Sequence, residues 1–113
     1  MPKRSMKTHS RQAAQAIQLL GHLIKVRRLE LKITAEDLAA RAGISRALLY
    51  RIERGDPACS IGAVFEVAAI VGVPLFGDDT GGTLASHLQR YERELMLLPR
   101  AVRNSHKPVY DDF

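Results

Sequence analysis

Apolar positions along this 113-residue chain recur at helical spacing, and no segment alternates as a half-buried strand would. Ile17, Leu20, Ile24 and Leu31 fall on one face at i, i+3, i+7 and i+14, which predicts a helix over residues 10–31. Gly21 leaves two readings open there: one continuous helix, or an early segment followed by a domain's first helix. Thr34 can cap the next helix, and Asp37, three residues on, supplies the acidic half of a capping-box pair. Good helix formers then run to Gly43, which can take the left-handed conformation that ends a helix. Ser45 is a second N-cap, and ALLYRIE continues the helix. Leu38, Ala42, Ile44, Leu49 and Ile52 are spaced to meet between these two short helices, and Ala39 leaves room for a close crossing.

Asp56 and Pro57 break the chain, and Ser60 caps a very apolar helix that ends at Gly72, with Ile61, Val64, Phe65 and Ala68 as its expected buried stripe. Val73, Pro74 and Leu75 begin a short turn or helix, and GDDTGG reads as a linker. A last helix over residues 83–98 carries Leu84, Leu88, Tyr91, Leu95 and Leu98, and Pro99 stops it. The expected organisation is a disordered basic arm (1–9), a helical domain (10–76), a linker with a C-terminal helix (77–98) and a flexible tail (99–113).

Too few residues separate the two short helices at 34–54 for an antiparallel hairpin, so they must cross steeply. That arrangement is the helix-turn-helix, which presents its second helix to the DNA major groove. Arg46, Tyr50, Arg51 and Arg54 fall largely off the apolar face of that second helix. Charge supports the same partner: seventeen basic against twelve acidic residues give +5, and the isoelectric point is near 9.8. The charge is uneven. Up to Lys32 there are eight basic residues and one acidic, Glu30, whereas from Ile61 to Leu88 the only charges are Glu66, Asp78 and Asp79. A basic face for DNA and a nearly uncharged face for association follow.

Other classes find little support. His9, His22, His87 and His106 lie far apart with no cysteine or carboxylate at ligand spacing, so no metal or other cofactor is expected. Asp78 and Asp79 sit among glycines, but the lysine and hydroxyl of a phosphate loop are missing, as is the spacing of a calcium loop. No nucleophile–base grouping can be assembled, and an enzyme is not expected. The single cysteine, Cys59, excludes an internal disulfide and suits a reducing compartment. With no apolar run of membrane length and no signal-like N-terminus, a cytoplasmic location is expected.

The block ITAEDLAARAGIS and the following LLYRIERG resemble the phage-repressor (Xre-like) helix-turn-helix family over roughly residues 20–76. The resemblance implies an all-α fold: a compact five-helix lambda-repressor-like DNA-binding domain, here with an additional C-terminal helix and tail. It implies that residues 45–54 form the recognition helix, with Arg46, Ala47 and Arg51 meeting bases. Arginine suits guanine O6 and N7, and the Ala47 methyl suits a thymine methyl. Thr34, Ser45, Tyr50, Arg54 and Arg28 are the expected phosphate contacts. Arg28 and Glu53 match a family pair that bridges the first helix and the recognition helix. Family members often carry glutamine where this chain has Ala35, so that phosphate contact is absent here.

One such domain covers only a few base pairs, so a homodimer on double-stranded operator DNA is expected, with Leu84, Leu88, Tyr91 and Leu95 in the contact beside the outer side of the helix at 61–71. The C-terminal LLPRAVRNSHKPVYDDF is similar to the ends of HipB-like antitoxins, whose partners are HipA-like kinase toxins. That likeness implies a repressor that also neutralises a toxin through Val109, Tyr110, Asp111, Asp112 and Phe113. A stand-alone phage-type regulator, and a protein-interaction adaptor that does not bind DNA, remain the alternatives.

Overall fold

The computed structural model describes residues 9–76 and 82–102, and among these it holds five helices and no strand. They are α1 (Arg11–Glu30), α2 (Ala35–Ala42), α3 (Arg46–Glu53), α4 (Ile61–Val71) and α5 (Leu84–Leu97). The chain divides into two units, Met1–Leu75 and Phe76–Phe113. All but the last residue of the arm expected over 1–9, most of the linker, and the tail from residue 103 onward lie outside the described residues.

Every helix starts in the same way. A hydroxyl from Ser10, Thr34, Ser45, Ser60 or Thr83 accepts the backbone N–H three residues ahead, at 3.0–3.3 Å. Each bond satisfies one of the donors that a helix N-terminus leaves orphaned. The capping box expected at Thr34 is only half formed. The Asp37 carboxylate accepts from Arg41 at 2.9 Å and 3.3 Å, an i,i+4 pair, instead of returning to the Thr34 N–H. Aspartate is one methylene shorter than the glutamate that closes such a box, and an arginine one turn on competes for it.

The ends of α1 to α4 also share one device. In each, a left-handed residue follows the helix: Lys32, Gly43, Gly55 and Gly72. Around each, paired backbone bonds return to the last turn, as in Ile44 N–H to Ala39 and Gly43 N–H to Ala40. This is the Schellman arrangement, which satisfies terminal carbonyls and turns the chain sharply. Lys32 is the exception in residue type, at φ 60°, where a Cβ costs roughly 1–2 kcal/mol. Lys32→Gly is therefore expected to raise stability by about 1 kcal/mol, read as a higher urea midpoint with an unchanged slope; a lower midpoint would show that the lysine side chain holds something there.

Within the first unit, α1 packs on α3 and α4, and α2 on α3 and α4. Ile24, Leu38, Leu49, Val67 and Val71 are fully buried at the centre, with Ala35, Ala39, Ile52, Ala68 and Val73 around them. Each large side chain so buried stabilises the fold by roughly 1.5–3 kcal/mol. α1 is continuous through Gly21, which settles that ambiguity. The stripe expected on α4 needs correction: Val67, Ala68 and Val71 are its buried residues, Val64 and Phe65 are half-buried, and Ile61 is 68% exposed. Because α4 is apolar almost all round, its sequence does not say which side faces inward.

In the second unit, α5 stands on its Thr83 cap and ends at Leu98, whose extended backbone precedes Pro99. Leu84, Leu88, Tyr91, Leu95 and Leu98 recur at alternating intervals of four and three, and all are at least half exposed.

Candidate nucleic-acid interface

α2, the Gly43 turn and α3 form the centre of the site. The turn is set by backbone: Gly43 is left-handed at φ 71°, and Ile44 is pinned through its N–H to Ala39. Ala39, only 2% exposed, permits the close approach of α2 and α3. Ala35, which stands where relatives of the resembled family often carry glutamine, is buried.

α3 is anchored from behind by Leu49, Ile52 and Glu53. The strongest anchor is ionic. Arg28 Nε donates to Glu53 Oε2 at 2.7 Å and Nη2 donates to Oε1 at 3.1 Å, while Nη1 reaches the Ile33 carbonyl at 3.3 Å. Both residues are buried. The hydrogen bonds to Glu53 hold the Arg28 pKa above its ordinary value. This bidentate fork links α1 to the C-terminal turn of α3 and uses all three nitrogens of the guanidinium. Three of the five guanidinium N–H donors are thereby committed inside the protein, and the burial of the side chain leaves little of Arg28 accessible for the expected phosphate contact.

The opposite face of α3 is open. Arg46, Ala47 and Tyr50 are exposed, and Arg54 is exposed at the C-cap. Arg46 has no ion-pair partner among the described residues, and α3 has no acidic residue in its first turn. A cation there opposes the helix dipole. Arg46→Glu is accordingly expected to leave the free protein equally or slightly more stable, by up to about 1 kcal/mol, while abolishing DNA binding. Paired melting and DNA titrations would test this, and a variant that unfolds early would show that Arg46 supports the fold.

Arg51 differs from Arg46. Its Nε donates to Asp56 Oδ2 at 2.8 Å, and its side chain is about two-fifths exposed. The bond to Asp56 raises the Arg51 pKa. The Asp56 carboxyl is held below its usual range, first by the Ala58 N–H and then by Arg51. Nothing in the linear sequence distinguishes Asp56 from an ordinary helix breaker. Thr34 and Ser45 accept the N–H groups of Asp37 and Leu48, so each hydroxyl retains a proton to donate outward.

Leu84, Leu88, Tyr91 and Leu95 share one face of α5. Val109 to Phe113 lie outside the described residues. Among the described residues no cluster of histidine, cysteine or carboxylates could hold a metal, and no helix is long and apolar enough to cross a membrane. No curated protein matches the chain. The model of a helix-turn-helix family matches residues 24–77, from within α1 to just past α4, and this match supports an Xre-like helix-turn-helix and, with it, a DNA-binding transcriptional regulator.

Proposed function

We propose that the chain is a dimeric, sequence-specific repressor that occupies operator DNA with α3 in the major groove. The observation that carries this is the two-sidedness of α3: Leu49, Ile52 and Glu53 lock one face, while Arg46, Ala47, Tyr50 and Arg54 stand bare on the other. Arg46, Ala47 and Arg51 read base edges, and Thr34, Ser45, Tyr50 and Arg54 bind phosphates. The exposed row on α5 supplies an apolar surface for a second copy, which would set two half-sites about one helical turn apart.

The test is a titration of the full chain with duplex from upstream of its own gene against random duplex, at several salt concentrations. Preference for the upstream duplex is expected. Arg46→Ala or Arg51→Ala should cost roughly 1–3 kcal/mol on that duplex alone. Arg54→Ala should weaken both duplexes alike and reduce the salt slope by about one unit. Equal binding to both duplexes would refute the repressor, and no binding at low salt would favour the adaptor. The likeness of the C-terminal end to HipB-like antitoxins extends the proposal to a HipA-like kinase toxin as partner. Deletion of residues 109–113 should then spare DNA binding and weaken binding of the neighbouring gene's product; unchanged binding would remove the tail's role.

A further inference from the structure

Arg51 and Asp56 are tied together twice. The Asp56 N–H donates to the Arg51 carbonyl at 3.0 Å as part of the Schellman turn at Gly55, and the Asp56 carboxylate returns to the Arg51 side chain. The other carboxylate oxygen accepts the Ala58 N–H at 2.9 Å, so the carboxylate itself is held by the loop that follows α3. Only Nε of the guanidinium is engaged by Asp56.

We propose that Asp56 is a positioning residue for base reading, holding Arg51 by Nε so that its two Nη groups are presented end-on to a guanine. This rests on the reading of α3 as the recognition helix. A guanidinium offers five N–H donors in a rigid fork. With Nε occupied, the Nη1–Nη2 edge remains, and two parallel donors match guanine O6 and N7. Fixing the long side chain beforehand also removes rotamer freedom that would otherwise be lost on binding. The carboxylate has a second effect. It offsets the arginine charge locally, so Arg51 contributes little to the sequence-independent pull of phosphates while keeping its directional donors. Arg46, with no such partner among the described residues, lacks this bias toward specificity.

The experiment is selection from a pool of duplexes with randomised bases by the full-length protein, Asp56→Asn, Arg51→Ala and the double variant. The wild type should enrich a guanine at one base pair. Asp56→Asn should lower that preference roughly tenfold, leave the other enriched positions in place and bind random duplex no more weakly. Arg51→Ala should abolish the same preference, and the double variant should resemble Arg51→Ala alone. Coincident thermal unfolding of Asp56→Asn and wild type separates lost reading from lost folding, and Asp56→Ser, which keeps an acceptor for Ala58, serves if the asparagine variant unfolds. Retention of the guanine preference by Asp56→Asn, or an equal loss at every position, overturns the positioning role. Unchanged preferences in Arg51→Ala overturn it by showing that Arg51 reads no base, and a wild type that enriches nothing overturns the DNA-reading function itself.

Discussion

Glu53→Ala is expected to cost about 3–5 kcal/mol of folding stability, because it leaves the buried Arg28 guanidinium without its counter-charge. Against a total stability of roughly 5–15 kcal/mol for a domain, that loss would leave a large unfolded fraction at modest temperature. The size of the effect follows from burial. Side-chain exposures of 9% and 4% put both charges out of reach of solvent, whereas an exposed pair contributes only about 0–1 kcal/mol. Glu53→Ala combined with Arg28→Met should recover much of the loss, since the desolvation of both charges is then removed. Urea unfolding of the two single variants and the double variant gives the coupling energy directly. A Glu53→Ala loss below about 1 kcal/mol would mean that water reaches the pair.

Gly21→Ala is expected to destabilise the fold by about 1–3 kcal/mol, although helix propensity alone favours alanine by roughly 1 kcal/mol. The sign is decided by packing. A Cβ at position 21 would lie 2.5 Å from the Ile52 carbonyl oxygen and 2.9 Å from that of Glu53. Both are backbone atoms that cannot rotate away, so α1 and α3 would have to separate, straining the Arg28–Glu53 fork a further two turns along α1. A lower melting temperature checks this, and a higher one would show that the helices can part at little cost.

Capping made much of the domain readable in the sequence. Thr34, Ser45 and Ser60 mark starts, Gly43 and Gly72 mark ends, and the intervening spacing puts Leu38, Leu49 and Ile52 in the core. Three things were less legible, for different physical reasons. The inward side of α4 depends on where α1 and α2 lie, because a helix apolar on nearly every side carries no directional signal. Gly21 leaves the continuity of α1 open in the sequence because only tertiary packing reveals a backbone crossing. The Arg51–Asp56 bond depends on the αL turn at Gly55, which folds the chain back onto the end of α3; read linearly, Asp56 is just a breaker. For Arg28, a family likeness suggests the pairing with Glu53, but only the fold shows how deeply that pairing buries the side chain.

The anchoring of α3 from behind separates two kinds of evolutionary change. Positions 49, 52 and 53 answer to the fold, and positions 46, 47 and 50 answer to whatever the helix touches. Substitutions in the second set meet solvent in the free protein, where most changes alter stability by less than about 0.5 kcal/mol. Duplicated copies of such a gene could therefore drift to new recognition sequences by exchanging a few outward side chains, without passing through an unfolded ancestor. Arg51 is the outward position least free to drift, since it would have to change together with Asp56.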